Sequence, residues 1–358
     1  MSRLDRRTLL AGAAGAAALP LIARDGLAQA PMQVGFVYVG PVGDHGWTWT
    51  HNQGRLALEK ELGAKVKTNF VENVAEGPDA ERVNRQLAQA GNKLIFTTSF
   101  GFMQPTARVA KQFPNVYFEH ATGYTRDKNL ATYNARFYEG RAVIGTIAGI
   151  MSKSGKAGYI ASFPIPEVVM GINAFTLAAR KVNPKFEVKV IWASTWYDPA
   201  KEADAAKALI DQGCDMITQH TDSAAALQAA EQRGVFAFGQ ASDMKSFAPK
   251  AHLTAIVDDW SQYYIDRTKL ALDGKWASHD VWGGIKDGFV KIAPYNDAVT
   301  PEARAAADKV KNEIVAGTLH PFTGPIKDQK GVERLKAGEK ASDEAMNKMD
   351  WYVEGVQS

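Results

Sequence analysis

Short apolar runs alternate with longer amphipathic stretches along most of this chain of 358 residues. This alternation is typical of strands followed by helices, which assemble into parallel sheets with helices on both faces. The sequence therefore predicts an α/β fold. The nine predicted strands are 34–39, 66–71, 94–98, 116–120, 157–162, 188–193, 216–220, 235–239 and 253–257.

The longer stretches carry helix signals. Apolar residues recur at steps of three and four from Phe137 to Met151, which places them on one buried helical stripe. Asp198 followed by Pro199 indicates the start of a helix, since Asp caps the first turn and Pro fits the first helical position. Gly213 indicates the end of the same helix.

The strand–helix units fall into two blocks of four, residues 33–120 and residues 156–240. Two sheets of this size suit two lobes better than one continuous sheet of nine or more strands. Ligands of open α/β sheets bind beyond the carboxyl ends of the strands, so the loops that follow the strands form the candidate site. These loops combine aromatic and polar residues, which favours a flat, partly polar ligand. The loops are 40–49, 99–102, 122–124, the residue 163, 194–198, 220–222 and 240–243.

Single members of these loops also have structural interpretations. Trp47 or Phe100 taken alone is more often a core aromatic than a stacking platform. Asp44 and Asp198 taken alone are more often helix caps. The repetition of aromatics at strand ends favours a binding site, because a loop aromatic has no sheet core to fill.

The composition excludes several classes of protein. With 42 Lys and Arg against 39 Asp and Glu, the formal net charge is +3, and the sequence has no basic stripe for nucleic acid. The lone cysteine, Cys214, excludes an internal disulfide and a cysteine-based zinc site. The sequence contains neither a nucleophile elbow nor a zinc-protease motif, so we expect no catalytic residues, no metal and no cofactor. An enzyme that uses the adjacent Asp44 and His45 is the alternative.

Residues 1–30 have the pattern of a twin-arginine signal peptide. Two arginines at 6–7 precede an apolar run rich in Ala and Gly at 9–23, and small residues for cleavage follow at 28–30. The run is shorter than the ~20 residues that a membrane span needs. No cysteine lies at the junction for lipid attachment. We therefore expect a mature protein that is soluble in the periplasm and not lipid-anchored.

Seven stretches carry a resemblance to a known family through their order and spacing: 44–54, 56–63, 99–102, 134–136, 149–156, 183–188 and 198–201. Through them, about residues 33–325 resemble the basic membrane protein (BMP) family of periplasmic binding proteins, the purine and nucleoside receptors of ABC importers. The resemblance implies a type I periplasmic binding protein: two doubly wound parallel-sheet lobes, joined by three hinge crossovers, that close on a ligand. It also implies a purine ligand and permease and ATPase partners in the inner membrane. We expect the protein to be a monomer and to bind no nucleic acid.

The resemblance also implies the domain boundaries. The crossovers would fall near 121–132, 240–245 and 283–288. The N-terminal lobe would comprise 31–122 and 244–283, the C-terminal lobe 130–240 and 288–320, and a tail, 321–358, would pack on the lobes.

The ligand-contacting positions of that family fall on the strand-end loops of this chain. Its aromatic residue in the first loop falls on Trp47, and the Phe that stacks on the base falls on Trp196. One of its aspartates is replaced by Ala241 and its lysine by Asp258. These charged groups suit ribose hydroxyls, so their loss favours a free nucleobase, adenine first, with Asp258 accepting from an exocyclic amine. A nucleoside receptor, a ligand-sensing partner of a membrane receptor and a purine-processing enzyme are the alternatives. The predicted site comprises Asp44, Trp47, Thr48, Trp49, Ser99, Phe100, Phe102, Trp196, Thr221, Asp222, Gln240, Asp243 and Asp258.

Overall fold

Two parallel sheets organise the part of the chain that the computed structural model describes, residues 30–358. The predicted signal peptide, apart from Ala30, lies outside this part. The strands are β1 (Met32–Val37), β2 (Val66–Val71), β3 (Leu94–Thr97), β4 (Tyr117–Ala121), β5 (Leu130–Ala135), β6 (Lys156–Ala161), β7 (Glu187–Trp192), β8 (Met216–Gln219), β9 (Phe236–Gly239), β10 (His252–Asp258), β11 (Asp280–Gly283), β12 (Val290–Ile292), β13 (Ile326–Lys327), β14 (Glu333–Leu335) and β15 (Val356–Gln357).

Helices follow most of the strands, as the alternation predicts. The helices are α1 (Trp47–Leu62), α2 (Pro78–Gln89), α3 (Met103–Gln112), α4 (Phe137–Met151), α5 (Pro166–Val182), α6 (Pro199–Asp211), α7 (Ala225–Gln232), α8 (Ser261–Leu272), α9 (Pro301–Val315) and α10 (Asp343–Met346). The helix predicted to begin at Asp198 is α6, where the Asp198 carboxylate accepts from the Lys201 N–H. Within residues 30–358, no helix is both long and apolar enough to cross a membrane.

The first sheet has the strand order β11-β5-β4-β3-β1-β2, and all its pairs are parallel. The second sheet has the order β12-β10-β9-β8-β6-β7-β15, in which only β12 runs antiparallel to its neighbour. We call the first sheet with α1, α2, α3 and α8 the first lobe, and the second sheet with α4, α5, α6, α7 and α9 the second lobe. This confirms the predicted α/β class.

Two strands lie in a different sheet from the one that the predicted lobe boundaries imply. β5 pairs with β4 in the first sheet, although 130–240 was predicted to belong to the C-terminal lobe. β10 pairs with β9 in the second sheet, although 244–283 was predicted to belong to the N-terminal lobe. The chain therefore passes between lobes after β5, after β10, and between β11 and β12.

The tail after α9 packs on the second lobe. The Asn173 amide on α5 donates to the Trp351 carbonyl at 2.8 Å, and its oxygen accepts from the Val353 N–H at 3.0 Å. β15 then adds a parallel edge strand beside β7. These contacts pair backbone groups at the edge of the sheet, which would otherwise remain open.

Candidate ligand-binding site

A cavity lies where the carboxyl ends of the strands of both sheets meet. The first lobe contributes residues that follow β1, β3 and β4, and the second lobe contributes residues that follow β6, β7, β8 and β9. The cavity is lined by Val39, Trp47, Ser99, Phe100, Thr122, Phe137, Ile165, Glu167, Trp196, His220, Asp222 and Gln240. The structure thus brings together Trp47, Ser99, Phe100, Trp196, Asp222 and Gln240 from the predicted site.

Two predicted residues shape the loop before α1 instead of lining the cavity. The buried Asp44 carboxylate accepts from the backbone N–H groups of Gly46 and Trp49 at 2.9 Å and of Thr48 at 3.1 Å. The Thr48 hydroxyl accepts from the Gly40 N–H at 3.2 Å. Asp44 therefore has the capping role that was its structural interpretation, and it fixes the direction in which α1 enters the cleft.

Four further predicted residues also lie away from the cavity lining. Trp49 packs beside His45, with ring centroids 6.0 Å apart. Phe102 is fully buried in the core of the first lobe, because the turn that exposes Phe100 to the cavity points Phe102 inward. Thr221 is fully buried, and Asp243, whose side chain is 44% exposed, accepts from the Lys245 N–H.

Asp258 ends β10 and does not line the cavity either. Both of its carboxylate oxygens are buried without a hydrogen-bond partner among residues 30–358. Burial raises its pKa well above the usual range, the negative charge of Glu167 raises it further, and Arg141 lowers it. The predicted contact between Asp258 and an exocyclic amine stays a prediction that the cavity lining does not support.

Six lining residues are not among the predicted site residues: Val39, Thr122, Phe137, Ile165, Glu167 and His220. Thr122 and His220 lie in the predicted strand-end loops 122–124 and 220–222, and Val39, two residues after β1, precedes the predicted loop 40–49. Ile165 and Glu167 lie where the loop after β6 enters α5. Phe137 is the first residue of α4 and carries no local signal, because its position depends on how the chain passes between the lobes.

Buried Arg141 on α4 donates hydrogen bonds to three groups of the second lobe. Its guanidinium donates to the Thr218 hydroxyl at 3.0 Å, to the Gln219 carbonyl at 2.8 Å, and to the side-chain oxygen of Gln240. The side-chain oxygen of Gln240 accepts from Arg141, which leaves the Gln240 amide nitrogen as the group that can donate to a ligand. Burial lowers the pKa of Arg141 from its usual value, and nearby Tyr159 and Asp258 oppose this effect.

The acids at the cavity have raised pKa values because they are buried. Burial raises the pKa of Glu167 to about 8, and Arg141 opposes the shift. Burial raises the pKa of Asp222 well above the usual range, and the charges of Asp44 and Glu202 add to the effect. Burial lowers the pKa of His220 far below its usual value, as does Arg141, so its imidazole is neutral. The site therefore presents neutral polar groups among aromatic rings.

Backbone strain is concentrated in the strand-end loops. In the described part of the chain, five residues other than glycine have positive φ: His45 at 61°, Asn73 at 56°, Thr122 at 62°, Ser194 at 52° and Ala241 at 62°. Each lies in a loop that follows a strand, namely β1, β2, β4, β7 and β9. Such conformations persist where the surrounding structure fixes them, and they cluster at binding sites.

The two lobes touch at the N-terminus of α1. The Trp47 N–H donates to Asp222 Oδ1 at 3.3 Å, and the Ser242 hydroxyl donates to the His45 carbonyl. Gly46 lies against Asp222 so closely that an added Cβ would be 2.7 Å from the Asp222 Cα. This contact lies at the cavity, because Trp47 and Asp222 also line it.

The arrangement is suited to holding a flat molecule with hydrogen-bonding edges. Four aromatic rings line the cavity, and the Trp196 indole N–H and Glu167 Oε2 are buried with no partner among residues 30–358. No group of three or more His, Cys, Asp or Glu within that range could hold a metal ion.

A family model described as "ABC transporter substrate-binding protein PnrA-like" (Bmp) matches residues 32–320. The chain belongs to the Bmp family. The resemblance seen in the sequence is thereby confirmed. Members of this family are substrate-binding components of ABC transporters and not enzymes, so the protein works with a small-molecule ligand and with the permease and ATPase of a transporter.

Two relatives align with this Bmp-family chain over most of its length. A purine-binding protein of Brucella abortus (strain 2308) is 60% identical over 329 residues, which is 92% of this chain and 94% of that protein. A protein of Haloferax volcanii named as an ABC transporter glucose-binding protein is 36% identical over 323 residues, or 90% of this chain and 79% of that protein.

Solved structures show the same architecture. An ABC transporter solute-binding protein from Aeropyrum pernix K1 superposes with a TM-score of 0.69 at 19% identity, covering 83% of this chain and 93% of that one. At this identity the likeness concerns the fold alone. The fold is thus that of the solute-binding proteins of ABC transporters, a periplasmic or extracellular type.

Proposed function

We propose that this protein captures a purine nucleobase, adenine first, in the cavity between its lobes and delivers it to an ABC importer. The observation that carries the proposal is the cavity itself, in which Trp47, Phe100, Phe137 and Trp196 surround a few unpaired polar groups. Aromatic rings bind a purine by stacking, and the unpaired groups can read its edges. The purine-binding relative at 60% identity supports the same ligand class.

A free base suits the cavity better than a nucleoside. Ala241 is fully buried and Asp258 does not line the cavity, so neither supplies the charged partner that ribose hydroxyls need. We further propose that the protein acts in the periplasm as a monomer that is not lipid-anchored.

Calorimetric titration of the ligand-stripped protein with adenine, hypoxanthine, adenosine and glucose tests this function. Adenine should bind most tightly, adenosine at least tenfold more weakly, and glucose not measurably. Tighter binding of adenosine than of adenine would establish a nucleoside site, and tight binding of glucose alone would establish a sugar site.

Trp196→Ala should weaken adenine binding about tenfold to a hundredfold, because stacking on a base contributes roughly 1–3 kcal/mol. Trp196→Phe should lose much less, since a flat ring remains. The matched control is Trp192→Ala, which removes a tryptophan of β7 that packs near Tyr352 and does not line the cavity. If the two alanine variants bind adenine equally well, Trp196 is not a stacking residue.

A further inference from the structure

We propose that Tyr159, His220 and Glu167 act as a polar relay that leaves Glu167 Oε2 as a donor to the ligand. This makes Glu167 the residue that selects bases with an unprotonated acceptor nitrogen next to Oε2. The inference rests on the proposed function, because it assigns a role toward the purine. It explains why a glutamic acid, which was not predicted for the site, lines the cavity.

The three side chains follow one another through two close contacts between polar atoms. The Tyr159 hydroxyl lies 3.3 Å from His220 Nδ1, and His220 Nε2 lies 3.4 Å from Glu167 Oε1. The Glu167 side chain is 13% exposed, and its second oxygen, Oε2, is buried with no partner among residues 30–358. Of the five polar atoms in this chain of contacts, only Oε2 is left for a ligand.

The charge of Arg141 sets the direction of the relay. Its guanidinium lies over the Tyr159 ring, 5.2 Å from the centroid, and a nearby cation makes a phenol a better hydrogen-bond donor. When Tyr159 donates to Nδ1, the neutral imidazole carries its proton on Nε2, and Glu167 Oε1 is the acceptor that lies 3.4 Å from this nitrogen. The carboxyl proton of Glu167 then belongs on Oε2.

The surroundings keep that proton in place at neutral pH. Glu167 is faced by His220 beyond β8, Arg141 on α4, Asp258 at the end of β10, and Tyr159 on β6. Burial raises the pKa of Glu167 to about 8 despite Arg141. Burial raises the pKa of Tyr159 to about 12, so its hydroxyl keeps its proton as well.

A neutral carboxyl and a carboxylate select opposite ligand edges. The neutral acid donates to a ring nitrogen such as those of adenine, whereas a carboxylate only accepts and faces such a nitrogen with an unfavourable lone pair. Adenine affinity should therefore fall as Glu167 loses its proton. A glutamine at this position carries a donating NH2 group and an accepting oxygen at every pH, so it reproduces the neutral acid without titrating.

The test is adenine titration at pH 6 to 9.5 with wild type, Glu167→Gln, Glu167→Leu and a control, Glu202→Gln. Glu202 is a buried acid that accepts from the Asp198 and Ser223 N–H groups and does not line the cavity. Wild-type affinity should be flat below pH ~7 and fall up to tenfold per pH unit above ~8. Glu167→Gln should bind within about threefold of wild type at pH 7 and show no pH dependence. Glu167→Leu should lose tenfold or more, and Glu202→Gln should keep the wild-type profile.

Analogues of adenine in which one ring nitrogen is replaced by C–H identify the acceptor. One of the three analogues, 1-, 3- or 7-deazaadenine, should bind wild type more weakly than adenine does, by about the factor by which Glu167→Leu weakens adenine binding. The affinity of that analogue for Glu167→Leu should be no lower than its affinity for wild type. Tyr159→Phe should shrink the preference for adenine over that analogue, because His220 is then no longer oriented.

Distinct results would overturn the relay and the proposed function. A wild-type protein that binds no purine contradicts the proposed function and with it the relay. A protein that binds adenine with pH-independent affinity, or a Glu167→Gln variant that keeps the pH dependence or loses more than tenfold at pH 7, contradicts the relay alone. Equal binding of all three analogues and adenine does the same.

Discussion

Several buried acids in and around the cavity have no cationic side chain of residues 30–358 within salt-bridge distance. Burial raises the pKa of Asp44 to about 6, of Glu202 to about 7 and of Glu167 to about 8. A carboxyl of this kind keeps in the folded protein a proton that the unfolded chain releases. Ligand-site chemistry and stability are therefore linked through the same groups.

The ligand-free protein should lose stability through Glu167 as the pH rises from about 4.5 to about 8. Below that window both states bind the proton, and within it only the folded state does, so raising the pH favours unfolding. Glu167→Gln removes this pH-dependent contribution to the free energy of unfolding. Its melting temperature should be equal to or below that of wild type at pH 5 and exceed it by about 2 °C or more at pH 8.

Scanning fluorimetry of the stripped proteins at pH 5, 6, 7 and 8 measures this difference. Comparing the two proteins at each pH cancels the contributions of the titrating groups that do not interact with Glu167. A wild-type protein that gains stability relative to Glu167→Gln with rising pH would show that Glu167 is ionised in the fold.

Two phenylalanines of one loop show how far the sequence could predict the site. Phe100 and Phe102 follow the same strand, yet Phe100 lines the cavity and Phe102 is buried in the core of the first lobe. Both belong to a one-turn 3-10 helix, and the sequence does not show which of its residues faces the cavity. Trp47 and Trp196 were predicted because each follows a strand. Phe137 was not predicted, since its position depends on packing between lobes.

At the level of elements, the N-terminus of α1 is the part of the first lobe that meets the second. Asp44 caps its first turn, and the free Trp47 N–H reaches Asp222 across the cleft. Residues 44–48 therefore connect the two lobes through Asp222 and Ser242. We call these seven residues the latch. Gly46 allows the close approach, since any side chain there would meet the Asp222 backbone.

Gly46→Ala should weaken adenine binding tenfold or more while leaving the melting temperature of the ligand-free protein nearly unchanged. The added Cβ would lie 2.7 Å from the Asp222 Cα and 2.8 Å from its Cβ, so the lobes could not close to the same distance. Gly43→Ala is the matched control in the same loop, because a Cβ there meets nothing within 4 Å. Titration of both variants with adenine compares them. Equal affinities would mean that the latch takes no part in holding the ligand.

Each of the nine predicted strands overlaps an observed one, because each is an apolar run followed by a helix or turn signal. β5 was missed for a physical reason: the loop 122–129 joins it to β4 with no helix between them. β10 was found but placed in the wrong lobe. Sheet membership follows from backbone pairing with distant strands, which a single sequence does not display.

At the level of the whole molecule, three links join the lobes, and the cavity lies between the ends of both sheets. A ligand in this position touches both lobes and stabilises their closed arrangement. Selection of the ligand is therefore also selection of the closed form. Family membership establishes the transport role, and the identity of the base depends on a small set of side chains around Glu167 and Trp196.

The decisive experiment is mass spectrometry of the small molecules released by denaturing the protein, after the stripped protein has been equilibrated with an equimolar mixture of adenine, hypoxanthine, adenosine and glucose. We expect adenine at one molecule per chain, and much less of it from Trp196→Ala than from Trp192→Ala. Release of adenosine or glucose in place of the base would contradict the proposed function.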